Sequence, residues 1–157
     1  MLNKLLARLS TPTKIQDYLD TLPINFEKRG DTHYSPEMVL KHQKAHCIEA
    51  ALFAAAALWE HGHEPLIMDL CAAKGDYDHV VALYKLNGYW GAISKSNHAT
   101  IRYRDPVYKT TRELALSYFH EWFPEKTGLR TLRSYSKPLH MKKFGREWIT
   151  ADENLWW

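Results

Sequence analysis

Apolar residues recur along this chain in two rhythms, one helical and one strand-like. Leu2, Leu5, Leu6 and Leu9 return every three or four positions, and Ser10-Thr11-Pro12 closes that short helix. Thr13–Leu22 keeps the rhythm through Ile15, Tyr18, Leu19 and Leu22 until Pro23 stops it. Residues 24–34 are polar and read as a loop. Ser35-Pro36-Glu37 then starts a third helix that ends near His42, with serine as cap, proline at the first helical position and an acid in the first turn. The next stretch, from Ala45 to Gly62, is different in kind. Between Ile48 and Trp59 its only charge is Glu49. Alanine and leucine favour helix, and a helix apolar on every side belongs in the middle of a domain. Gly62 suits the left-handed position just past its end, and Glu49 and His61 suit the two poles of its dipole.

Beyond Gly62 the pattern shortens to strand length. Pro65–Leu70 predicts a strand, Cys71–Asp78 a polar loop, and His79–Tyr84 an interior strand apolar on both faces. Asn87-Gly88 is a strong hairpin signal, so Tyr89 to Ser94 or Ser96 returns alongside. A further strand pair begins at Thr100–Arg104 and stops at Asp105-Pro106. Thr110–Phe123 predicts a helix closed by Pro124, Leu129–Tyr135 one more strand, and the apolar Asn154-Leu155-Trp156-Trp157 a docked terminus. Together these elements predict an α+β fold in which a central buried helix packs against an antiparallel β-sheet, with additional N-terminal helices. At 157 residues one domain is expected, with a core over about 13–110 and a helix plus basic extension over 111–157.

Composition narrows this little. Apolar residues at 45% and charged residues at 25% are ordinary for a globular protein, and a net charge of +3 says little about partners. Two cysteines in different elements make no disulfide scaffold, so reduced thiols are expected. Lys4 and Arg8 interrupt the apolar N-terminus, which lacks the h-region of a signal peptide, and no window is long enough to cross a bilayer. A cytoplasmic protein without membrane attachment is the expectation.

The chemistry concentrates where the central helix starts. Cys47 sits at or near its N-terminus, where unpaired N–H groups and a partial positive charge favour a thiolate and an oxyanion. A nucleophilic cysteine needs an imidazole within reach, itself held by a third group. His79, at the head of an interior strand, is the candidate. With the turn at Asn87-Gly88, facing residues sum to 175, so Val81 faces Ser94 and His79 faces Ser96. The pleat puts His79, Ser94 and Ser96 on one face and Asn97 on the other.

Several motifs in this order resemble the transglutaminase-like, papain-related cysteine enzymes. They are Ser35-Pro36-Glu37-Met38-Val39-Leu40, Ala45-His46-Cys47, Ala50-Ala51-Leu52, Leu58-Trp59-Glu60-His61-Gly62 and Asp78-His79-Val80-Val81. The resemblance spans about Ile15 to Ser94 and implies a Cys47–His79 pair acting in acyl transfer on an amide or ester, with no cofactor. The chain departs from the family at three places. Ala45-His46 replaces a glycine before the cysteine, Val80-Val81 replaces Ala-Trp after the histidine, and Ser94 falls where the family places its aspartate. Ser94 itself, Asn97 through a bulge, or Asp105 from a displaced strand are the candidates for the third position, or the triad is incomplete.

Three other readings compete. His42, His46, His61 and His63 with Cys47 and Cys71 invite a metal, yet no C-x-x-C or H-E-x-x-H spacing accompanies them. From Lys126 to Arg146 the chain carries seven Lys or Arg and no acid. That run, with Arg130, Arg133, Lys142 and Lys143, suits an acidic protein partner or a nucleic acid, with Arg102, Arg104, Lys109 and Arg112 as an extension. A domain that kept the fold and lost the chemistry, serving as an interaction module with this basic surface, is the alternative to an enzyme.

Overall fold

The computed structural model describes residues 1–28 and 30–155. Among them are six α-helices and six β-strands in an α+β arrangement: α1 (Leu2–Arg8), α2 (Pro12–Thr21), α3 (Pro36–His42), α4 (Cys47–Glu60), β1 (Leu66–Ala72), β2 (His79–Leu86), β3 (Tyr89–Ile93), β4 (Arg104–Tyr108), α5 (Thr111–Leu116), β5 (Leu132–Tyr135), β6 (Leu139–His140) and α6 (Glu147–Thr150). No helix among the described residues is long and apolar enough to cross a membrane.

The helix starts follow capping chemistry. Ser35 accepts the N–H of Met38 and sets Pro36 at the first helical position of α3. Thr11 does the same for α2 through Lys14, at 3.2 Å. Pro12 therefore opens the second helix, where the sequence pattern has it closing the first. Gly62 lies at φ +81 just beyond α4, the left-handed position expected of it. The ring of His61 instead reaches the Leu6 carbonyl, at 2.9 Å.

Helix α4 is buried on every side, and Leu52, Phe53, Ala54, Ala55, Ala57 and Leu58 have no exposed surface. It lies among α1, α2, α3, α6 and the face of β2 that carries Val80, Ala82 and Tyr84. Truncating Leu52 to alanine there removes about 2–5 kcal/mol of stability. On the opposite face of the sheet, Met68, Leu70, Val81 and Leu83 meet Leu114, Ala115, Tyr118 and Trp122.

The sheet is antiparallel in the order β4-β3-β2-β1-β5, with β6 also pairing with β1. Asn87 and Gly88 both have positive φ, as a type I′ hairpin requires, and the register Ala82↔Ile93 keeps the predicted sum of 175. Gly91 is needed at a bulge: a Cβ there would stand 2.4 Å from the Tyr84 ring and 2.8 Å from the Arg104 carbonyl.

Further element boundaries differ from the sequence pattern. β1 continues through Cys71 to Ala72, because β5 pairs with that end. β4 runs through Asp105-Pro106 instead of stopping there, which an edge strand tolerates because proline lacks only an outward-facing donor. The helix expected over Thr110–Phe123 stops at Leu116; the Ser117 hydroxyl donates to the Leu114 carbonyl at 2.6 Å, and the chain passes through a tight 3₁₀ turn at Phe119–Glu121. Residues after 111 join the same sheet and core. At the C-terminus the Leu155 N–H donates to the His33 carbonyl at 2.9 Å, while Trp156 and Trp157 lie outside the described residues.

Candidate active site

Cys47 is the first residue of α4, so the N–H groups around it have no intrahelical acceptor. The thiol is partly exposed at the base of a cleft of about 620 Å³ whose walls include His79, Asn97, Asp78, Tyr77 and Trp122. Burial pushes the thiol up, but hydrogen bonds from His46 and His79, the charge of His79 and the Val80 backbone outweigh it and bring Cys47 down to about 5.

The imidazole of His79 is buried, with 6% exposure, at the end of β2. Its Nε2 meets the Ser94 Oγ at 2.7 Å, and Ser94 in turn bonds the Ile101 carbonyl at 3.2 Å. A carbonyl only accepts, so the network assigns the hydroxyl proton to Ile101 and Nε2–H to Ser94, leaving Nδ1 for the thiol. The Trp122 ring packs edge-on with the His79 ring, their centroids 5.8 Å apart. Trp122 is positioned through its indole N–H, which donates to Asp76 at 3.2 Å.

Of the three candidates for the third position, only Ser94 reaches the imidazole. The diagonal neighbourhood of His79 and Ser94 follows from the hairpin register. Asn97 does not bond the ring; beyond the buried Ser94–Ser96 segment the chain turns outward and leaves it exposed on the cleft wall. Asp105 is exposed on β4, outside the cleft. The registers Ala92↔Arg104 and Trp90↔Tyr108 carry it toward the hairpin end of the sheet, away from His79.

Two supporting residues escaped the sequence reading. The Gln16 amide holds Ser94 from both sides, donating to its carbonyl at 2.8 Å and accepting its N–H at 3.0 Å. Lys95 is buried beside it and donates to the Leu19 and Leu22 carbonyls at 2.7 and 2.6 Å, closing the end of α2 onto the same loop. A glutamine next to Ile15 in a short amphipathic helix was the one available signal for the first.

The histidines named for a metal do not converge. His42 stacks on Tyr34, His61 holds α1, and His46 occupies the N-cap position of α4 with its ring toward the Thr32 carbonyl. Among the described residues one group of three possible ligands forms, Asp69, Cys71 and Asp78, with ligand atoms within 4.8 Å of one another. Cys71 there donates to Asp69 at 3.5 Å, and Asp78 accepts the Ala72 N–H at 2.7 Å. Burial is the first cause that raises both Asp69 and Cys71. The basic run is likewise dispersed: Lys142 pairs with Glu64 and Arg146 with Glu60, while Arg130 lies over Phe123 and Lys143 over Phe144. Arg133 donates to the Arg130 and Leu132 carbonyls. Of the suggested extension, Arg102 pairs with Asp20 and Arg104 with Glu121.

The site defines a thiol–imidazole pair at a helix N-terminus, open to a cleft and backed by a hydroxyl. Compared with known proteins, the chain matches no family model and no curated sequence.

Proposed function

We propose that the chain is a cysteine-dependent acyl-transfer enzyme acting on an amide or ester carbonyl, built on a transglutaminase-like, papain-related core. The observation that carries this reading is the Cys47 thiol, held at about 5 at the mouth of α4 with His79 against it and a cleft in front. In the cycle, the Cys47 thiolate attacks the carbonyl and a C–S bond forms. The first-turn N–H groups of α4 receive the oxyanion. Collapse breaks the bond to the leaving amine or alcohol, which takes a proton from the imidazolium of His79. Water, or an acceptor amine, then attacks the thioester and returns a proton to His79 as the thiolate leaves. Ser94 keeps the ring oriented but brings no negative charge to the imidazolium.

That last point supports the second reading, a non-catalytic domain with the same fold whose Arg130, Arg133, Lys142 and Lys143 surface takes an acidic partner. An activated ester separates the two. With a nitrophenyl ester the enzyme reading expects an acyl adduct on Cys47 by mass spectrometry, decaying in water and faster with added amine. Cys47→Ala should abolish it and Cys71→Ala should leave it. An adduct spread evenly over both thiols, or none on Cys47, rejects the enzyme.

A further inference from the structure

His46, the residue immediately before the nucleophile, has surroundings unlike those of His79. Its Nδ1 lies 3.9 Å from the Cys47 sulfur. Its Nε2 lies 2.8 Å from the Thr32 carbonyl, 3.2 Å from Glu27 Oε1 and 3.5 Å from Glu49 Oε1. The carboxylate missing behind His79 is therefore present, twice over, behind His46.

Both acids are built in. Glu49 is wholly buried and accepts from the Asn25 amide, the Thr32 hydroxyl and the N–H groups of Tyr34 and His46, so it is a fully satisfied buried anion. Glu27 has φ +49, a left-handed conformation rare outside glycine and asparagine. The turn aims its carboxylate at the Thr32 N–H, 2.6 Å away, and at His46. A strained residue whose charge is directed at one imidazole is the kind of backbone outlier that accompanies function. The other titratable groups facing His46 are Cys47, His79 across the thiol, and His33, whose ring centroid is 6.4 Å away.

We propose that His46 is a positioning residue of this site: a standing cation, secured by Glu27 and Glu49, that keeps the Cys47 sulfur anionic whatever the protonation state of His79. The thiol proton passes to Nδ1 of His46, and the charge so formed stays there because two carboxylates and a carbonyl face Nε2. His79 is then free to give and regain a proton in each cycle without the sulfur recapturing it. The same cation makes the thiolate a better leaving group when the thioester is resolved. Burial opposes a charge on this ring, yet the hydrogen bond to Cys47, the Glu49 charge and the Thr32 carbonyl raise His46 to about 9, in agreement with the geometry. The role rests on Cys47 being the nucleophile of the proposed acyl transfer, but its test does not need turnover.

The test is the pH dependence of iodoacetamide alkylation of Cys47 in a Cys71→Ser background. His46→Asn keeps a good helix cap and should move the inflection upward by at least one pH unit, so that alkylation below it slows about tenfold. Glu27→Gln keeps an acceptor for Thr32 while removing the charge, and should move the inflection the same way by less. His79→Asn should leave the inflection below neutrality and let the acyl adduct form, but slow its decay in water, because the base for that step is gone. Circular dichroism shows whether each variant is folded; if His46→Asn is not, Glu27→Gln decides. An inflection unmoved by His46→Asn, or by Glu27→Gln where that variant decides, overturns the proposal, as does one restored to an ordinary thiol value by His79→Asn alone. Shifts as expected without any acyl adduct in the parent protein would uphold His46 and reject the enzyme.

Discussion

Cys47 and Cys71 are both half-buried and unpaired, yet their surroundings drive them in opposite directions. Cys47 opens a helix, with the positive end of the dipole beneath it and imidazoles on two sides. Cys71 lies inside β1, where a strand offers no dipole, and its neighbours are Asp69 and Asp78. Burial raises both thiols. For Cys47 the hydrogen-bond donors and the positive charge outweigh it, whereas for Cys71 the nearby acids add to it. A cysteine's reactivity is thus set by what the fold brings to it, and exposure alone would have ranked the two alike.

The largest expected effect is on stability against pH. Cys47 is depressed on folding, so its contribution is present at high pH and lost as pH falls through about 5. His46 is raised from 6.5 to about 9, so its contribution is present at low pH and lost as pH rises through about 9. The two slopes have opposite signs between 6.5 and 9 and cancel there, leaving a net rise only from about 5 to about 6.5. That rise is at most about 1.4 kcal/mol per pH unit. Denaturant titrations of Cys47→Ala should lose that rise, while Cys71→Ser should reproduce the parent curve over this window. Identical profiles for the two variants would erase the distinction between the cysteines.

Selective alkylation comes next. At pH 6 Cys47 is mostly thiolate, whereas an ordinary thiol is ionised in only roughly one molecule in several hundred. Nucleophilicity falls with thiol pKa and returns much of that advantage. Iodoacetamide should therefore modify Cys47 about tenfold faster than Cys71, read peptide by peptide by mass spectrometry. Equal rates would mean that the helix terminus and the imidazoles leave the thiol unchanged.

Why Cys47 and His79 were readable from sequence, and their supports were not, has a physical basis. An alanine-rich helix with no polar face has one place to go, and a hairpin with Asn-Gly at its turn fixes the register of everything on it. Those two constraints are local, and they were enough to put His79 on one face with Ser94 and Ser96, though opposite Ser96. Pro12, Pro106 and Ser117 depend on context. A proline opens a helix or sits in an edge strand according to which neighbours lack a partner for its missing donor. Glu49 fits the sequence pattern as a dipole-facing acid, and its role behind His46 appears only once the 24–34 loop folds over the N-terminus of α4. Gln16 and Ser94 are 78 residues apart, and no periodicity reports a contact of that span.

The smallest effect expected concerns Ser94, and it tests how much of the contrast between the thiols depends on His79. A hydroxyl–imidazole bond contributes about 0.5–1.5 kcal/mol, so Ser94→Ala should slow decay of the acyl adduct on Cys47 by roughly two- to tenfold. A buried carboxylate in the same place would carry far more, because it stabilises the imidazolium as well as orienting the ring. The alanine variant keeps both backbone bonds to Gln16, so the loop should hold its place and only the ring lose its partner. With His46 supplying the standing charge, the alkylation inflection of Cys47 should stay within about half a pH unit of the parent. A larger displacement would make Ser94, acting through His79, the main source of the low Cys47 value and reduce His46 to a cap on α4.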